Sequence, residues 1–184
     1  MLAREKLYTI EEFHDFVDLP ENQNRRFELV HGVIVDMGSS RRINTVIAMR
    51  IGTFFNNFVM PRKLGYVTGE AGGYIVGESN VRRPDVGFIT LKRAETLKGV
   101  EFDGAPDIAV EVVSKREDVF DKANVYFAAG ANRVWLVYPN DRAVYVLRLN
   151  DDGGMISHRY GVDDTLDGGD VLPGFTLRVG EIFP

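Results

Sequence analysis

The sequence predicts an α/β fold, and three observations predict it. Two apolar runs, Pro84-Asp85-Val86-Gly87-Phe88-Ile89 and Pro106-Asp107-Ile108-Ala109-Val110-Glu111-Val112-Val113, read as buried strands although each carries carboxylates. From Ile43 to Val59, apolar residues recur as Ile43, Val46, Ile47, Ile51, Phe54, Phe55, Phe58 and Val59, a helical stripe. A second helical stretch, Glu117 through Ala129, separates the strand at Asp107–Val113 from two further apolar runs.

In chain order, Thr9-Ile10-Glu11-Glu12 is a capping box that opens a short helix through Phe13, Phe16 and Val17, closed by Leu19-Pro20. Arg26–Val30 and Val33–Asp36 flank His31-Gly32 as a tight hairpin whose turn needs glycine. The long helix follows and is expected to end at Pro61 and Gly65. Short strands are expected at Gly65–Thr68, Gly73–Val76 and Asp85–Thr90, with glycines as punctuation. Gly130 is a natural stop for the second helix. Arg133–Tyr138 and Ala143–Leu147 then flank Pro139-Asn140-Asp141-Arg142 as a β-hairpin, and the remainder reads as turns and edge strands.

A chain of 184 residues, 45% hydrophobic and 27% charged, is expected to form one compact domain over 1–184. The absence of cysteine excludes disulfides, thiolate zinc sites and cysteine nucleophiles, and it fits the cytoplasm. With only His14, His31 and His158 available, none close in sequence, a metal would be held by oxygen ligands, which favours Mg²⁺ or Mn²⁺. Met1 to Leu7 lacks an apolar core, so neither a signal peptide nor a membrane span is expected. A net charge of −5 gives no global attraction to nucleic acid. Arg25-Arg26, Arg41-Arg42, Arg62-Lys63, Arg82-Arg83 and Lys92-Arg93 all lie in the first half, either as a phosphate-facing surface or as solvated charge.

The carboxylates on the core strands carry the chemistry. Ionised carboxylates among apolar residues are costly unless a positive charge meets them, and a divalent cation serves. Asp107 and Glu111 share one strand face but are about 13 Å apart, too far to hold one ion. Glu111 therefore needs a partner from another strand, and Asp85 suits if the strands are neighbours. Glu28 could add a third oxygen donor. Such a site polarises a phosphoryl oxygen and activates bound water, so phosphodiester hydrolysis is the expected reaction class. Lys115 and Lys122, both downstream of Glu111, are candidates to orient water and stabilise the charged transition state.

Phe27-Glu28-Leu29-Val30-His31-Gly32, Pro84-Asp85-Val86, Val110-Glu111-Val112-Val113-Ser114, Asp118 with Lys122, Tyr126 with Gly130, and Val134-Trp135-Leu136-Val137 resemble, in order, a bacterial putative restriction endonuclease family of the PD-(D/E)XK nuclease superfamily. The resemblance runs from Phe13 to Leu172-Pro173-Gly174-Phe175. It implies a central mixed β-sheet flanked by helices, with Glu28, Asp85 and Glu111 around a divalent ion. The superfamily's usual lysine position is Val113 here; in this family the lysine looks moved to the following helix, and Lys122 matches it. The implied activity is Mg²⁺-dependent cleavage of DNA by a homodimer.

Other readings of the same residues stay open. Glu111 could pair with Arg133, Glu28 could be an exposed hairpin residue facing Arg25 or Arg26, and Lys122 could be a solvated lysine paired with Asp118. Tyr126 reads as helix packing, His31 as a turn residue, and the Phe54, Phe55, Phe58 stripe as core or dimer interface. The segment from Ser114 to Lys122 is shorter than usual in the family, with Lys115-Arg116 where a proline-serine pair is common. A catalytically inactive nuclease-fold module that binds nucleic acid or protein is therefore the alternative function, and a phosphohydrolase of small substrates is a third.

Overall fold

The computed structural model describes residues 6–94, 97–114 and 118–184. Helix α1 (Ile10–Val17) is opened by the expected capping box: Glu12 N donates to Thr9 Oγ1, and Thr9 N donates to the Glu12 carboxylate. Strands β1 (Phe27–Val30) and β2 (Val33–Asp36) form the expected hairpin, with both His31 and Gly32 at positive φ as a two-residue primed turn requires. Helix α2 spans Arg42–Arg62. Pro61 does not end it, because a proline so near the terminus removes only one late backbone bond; Lys63 stops the helix by turning left-handed, and Gly65 opens the next strand.

Six short strands follow: β3 (Gly65–Gly69), β4 (Gly73–Ile75), β5 (Val81–Arg82), β6 (Val86–Thr90), β7 (Glu101–Asp103) and β8 (Ile108–Val112). Of these, β5 and β7 were not foreseen. Each is three residues or fewer, too short for an alternating pattern to show. Helix α3 (Val119–Ala128) begins after its N-cap Asp118 and stops ahead of Gly130; the expected start at Glu117 lies outside the described residues. Then come β9 (Arg133–Tyr138), β10 (Ala143–Leu149), β11 (Met155–Tyr160), β12 (Thr165–Gly168) and β13 (Leu172–Arg178).

The main sheet has the order β11-β10-β9-β8-β6-β3, and it is mixed: β8 and β9 run parallel, while the other neighbours are antiparallel. A second sheet has the order β2-β1-β5-β4-β7, and β12 pairs with β13. Parallel pairing of β8 with β9 demands a crossover, which α3 supplies.

Alternation along β8 divides the core. Ile108, Val110 and Val112 face one side with Ile47, Ile51, Phe55 and Val59 of α2, where Phe175 and Leu177 of β13 join them. The tail expected as edge strands thus contributes core residues, with Phe175 5.0 Å from Phe55 ring to ring. Within α2 the buried stripe is narrower than expected, since Ile43 and Val46 are exposed. Ala109 lies on the opposite face with Ala123, Tyr126 and Phe127 of α3 and Tyr74 of β4. The second sheet therefore approaches the face that carries the carboxylates. Among the described residues no helix is long and apolar enough to cross a membrane.

Candidate metal-dependent active site

The register of β6 against β8 pairs Val86 with Val110, Gly87 with Ala109 and Phe88 with Ile108. One step further along the same antiparallel ladder sets Asp85 opposite Glu111, and alternation turns both toward the α3 side. Asp85 also ties itself to β8, because Val112 N donates to its Oδ2 at 2.7 Å. The small residues Gly87 and Ala109 lie beside this pair. A Cβ on Gly87 would stand 2.7 Å from both Thr68 Oγ1 and the Tyr74 hydroxyl, so glycine allows the second sheet to close on this face.

Helix α3 supplies the cation. Asp118 accepts from Asp121 N at 3.0 Å and sets the helix start, so that Lys122 and Tyr126, four residues apart, face the sheet together. Lys122 Nζ donates to Glu111 Oε2 at 3.0 Å, and the Tyr126 hydroxyl donates to Glu111 Oε1 at 2.7 Å. Glu111 is only 2% exposed. Burial pushes its carboxyl up to about 7, against the opposing pull of Lys122 and with help from Asp85 and Glu28. Burial also lifts the Tyr126 hydroxyl well above its ordinary range, reinforced by the nearby Glu111 and Glu28 carboxylates.

Glu28, 1% exposed, joins from β1. Its Oε1 accepts from Arg83 N at 2.8 Å and lies 3.9 Å from Lys122 Nζ, while its Oε2 accepts from Arg82 at 3.3 Å. Arg82, itself buried, reaches on to Asp121 at 3.2 Å, and His31 from the hairpin turn meets Asp121 at 3.0 Å. A continuous polar chain thus runs from the surface His31 to Glu111 inside.

Asp85, Glu111 and Lys122 line a cavity of about 470 Å³ whose rim includes Arg26, Arg41 and Arg83; Glu28 does not line it. Asn44 at the start of α2 donates to Val112 O at 3.1 Å and fixes that wall. Among the described residues no group of three or more histidine or acidic side chains is arranged to hold a metal ion. Glu28, held by Arg82 and Arg83, does not line the cavity. Of the three expected carboxylates, Asp85 and Glu111 line it; Glu70 lines it too but pairs with Arg26. The donor set of Asp85 and Glu111 fits Mg²⁺ or Mn²⁺, which bind through one or two carboxylates and keep several waters.

The expected residues Glu28, Asp85, Glu111 and Lys122 therefore converge, with Glu28 turned toward arginines rather than toward the cavity. Lys115 lies outside the described residues. The pairings weighed for them from sequence do not form: Arg133 approaches Asp167 at 3.8 Å, Arg25 and Arg26 pair with Asp36 and Glu70, and Asp118 caps its own helix. Arg82, read from sequence as phosphate-facing or solvated charge, is instead buried, Tyr126 packs on the sheet as expected but also bonds Glu111, and Asn44 and Asp121 were not singled out. The Tyr126 bond was detectable, since Tyr126 shares a helical face with Lys122; the burial of Arg82 was not, since its strand is two residues long.

The model of the Uma2 family, described as "Putative restriction endonuclease", matches residues 11–180. An uncharacterized protein of Synechocystis sp. is 24% identical over 157 residues, covering 83% of this chain and 82% of that protein. The fold is that of a crystal structure described as a putative nuclease from Anabaena variabilis, with a TM-score of 0.79 at 19% identity over 95% of this chain and 97% of that one.

Proposed function

The chain belongs to the Uma2 family of putative restriction endonucleases, and from that premise we propose that it is a Mg²⁺- or Mn²⁺-dependent endonuclease hydrolysing phosphodiester bonds of DNA. The observation that carries this reading is the convergence of Asp85 and Glu111 on one cavity with the Lys122 ammonium 3.0 Å from Glu111. Asp85 and Glu111 would hold the ion, and Glu28 would act from behind by anchoring Arg82 and Lys122. When bound, the ion supplies Lewis-acid polarisation of the phosphate and acidifies a water.

The chain's own groups perform the remaining tasks. Lys122 is placed to orient the attacking water and to offset charge that builds on the phosphate oxygens. Tyr126 holds Glu111 in its rotamer through Oε1, leaving Oε2 to the lysine. Arg41 on the rim is left to receive a phosphate of the strand, since Arg26 pairs with Glu70 and Arg83 is held by Phe27 O, Ala71 O and Glu101. Cutting both strands of a duplex needs two such sites, so the working unit is a homodimer acting in the cytoplasm, where DNA and Mg²⁺ coexist.

The test is a plasmid cleavage assay with Mn²⁺, in parallel with calorimetric Mn²⁺ titration. The wild-type chain is expected to bind Mn²⁺ and cut, and Asp85→Ala is expected to do neither while remaining folded. Mn²⁺ binding without cleavage of any DNA would favour the inactive binding module, and cleavage untouched by Asp85→Ala would remove this assignment.

A further inference from the structure

A second cavity, of about 310 Å³, adjoins the first, and Arg41, Asn44 and Ser114 line both. The two differ in chemistry. The first carries Arg26, Arg41, Arg83 and Lys122 beside Glu70, Asp85 and Glu111, a mixed set that would take a phosphate through the ion proposed between Asp85 and Glu111. The second has apolar walls from Ile43, Val119, Tyr138 and Pro139, and the Asn140 amide and Asp141 carboxylate of the β9–β10 turn also line it. Among the described residues Arg41 is the one cation lining it, and Asp141 has no second carboxylate beside it with which to share a metal ion. An amide and a carboxylate against apolar walls are instead the groups that read the edge of a nucleobase, a carboxylate by accepting from an exocyclic amine.

We propose that this second cavity is a base subsite: the nucleotide next to the scissile phosphate, turned out of the duplex stack, places its base there, and Asn140 and Asp141 select bases with an exocyclic amino group over thymine. This inference rests on the nuclease function proposed above. Three features support it besides the lining. The cavity is large enough for one base and shares the wall formed by Arg41, Asn44 and Ser114 with the candidate active site, so one strand can reach both. Neither Asn140 nor Asp141 has a side-chain hydrogen bond or ion pair among the described residues, so both are free to pair with a ligand. Arg41, at the junction, meets no carboxylate among the described residues and is left to bridge the phosphate between the two cavities.

The experiment measures fluorescence anisotropy of labelled single-stranded oligo-dC, oligo-dA and oligo-dT against the full chain in EDTA, so that cleavage plays no part. Wild type is expected to hold oligo-dC or oligo-dA about fivefold or more tighter than oligo-dT. Asp141→Ala and Asn140→Ala, both in an exposed turn, are expected to erase that difference with little change for oligo-dT. Arg41→Ala is expected to weaken all three alike and lower the salt dependence by about one counterion. Oligonucleotide binding with no base preference, or a preference that both turn variants retain, overturns the subsite while leaving the nuclease reading standing. Failure to bind any of these oligonucleotides overturns the subsite, while the nuclease reading stands or falls on the plasmid cleavage assay with Mn²⁺.

Discussion

Replacing Glu111 by glutamine isolates the charge on which the candidate site depends. The substitution keeps shape and hydrogen bonding: its carbonyl can face Lys122, and its amide can donate to the Tyr126 oxygen once that hydroxyl rotates. In the wild-type chain burial raises the Glu111 carboxyl from 4.5 to about 7. A folded-state pKa above the unfolded value means that the stabilisation is complete below pH 4.5 and is lost as pH rises through about 7. The rise corresponds to about 3 kcal/mol at 1.36 kcal/mol per unit. Without metal at pH 8, Glu111→Gln should therefore melt roughly 6–12 °C above wild type. At pH 4 the two should coincide. Excess Mn²⁺ should reverse the order at pH 8, by stabilising the ionised wild type and not the variant, and this rescue should fade below pH 7 as protons compete for the carboxylate. Thermal unfolding across pH, with and without Mn²⁺, reads all of this. A variant that melts at or below wild type at pH 8 without metal, or Mn²⁺ stabilisation that is level from pH 5 to pH 8, refutes the reasoning.

Lys122→Met removes the ammonium between two buried carboxylates, so it should cost about 3–5 kcal/mol in urea unfolding, less at pH 5 where Glu111 is protonated, and should abolish cleavage while Mn²⁺ binding persists. Gly87→Ala forces a Cβ to within 2.7 Å of Thr68 Oγ1 and the Tyr74 hydroxyl, which bond each other at 2.9 Å; about 1–3 kcal/mol of destabilisation is expected, and an unchanged unfolding midpoint would contradict that packing. Phe55→Ala empties the space between Trp135 and Phe175, with ring centroids at 5.2 and 5.0 Å, and should cost about 3–5 kcal/mol by the same measurement without altering Mn²⁺ affinity.

Much of the fold was legible because its long elements repeat. The stripe Ile47, Ile51, Phe54, Phe55, Phe58, Val59 mixes spacings of three and four as only a helix does, and the alternation on β8 separates Val110 from Glu111 whatever the neighbours are. What stayed hidden has a physical cause in each case. The second sheet joins the expected β1, β2 and β4 through β5 and adds β7, strands of two and three residues whose pairing is a tertiary event with no local period. The tail was underestimated for a related reason: Phe175 and Leu177 are buried by packing on α2, and their strand also carries exposed residues and a proline-glycine pair that read as surface.

The candidate site divides along the same line. Asp85 and Glu111 could be foreseen as a pair because each carboxylate lies on a core strand, and adjacency in the right register brings them to one face. Lys122 required the additional knowledge that a crossover helix lies over β8, and Tyr126 then follows from helical geometry, since the residue four positions on points at the same carboxylate. Arg82 follows from neither. Its buried guanidinium reaches both Glu28 of the first hairpin and Asp121 of α3, elements 54 and 39 residues away in sequence. A charge buried that deeply is retained only where several acids surround it, so Arg82 marks where the hairpin, the second sheet and the helix must meet for Lys122 to reach Glu111. Disturbing that junction should loosen the site before it unfolds the main sheet, because α2, β8 and β13 share a core cluster that includes none of the junction residues.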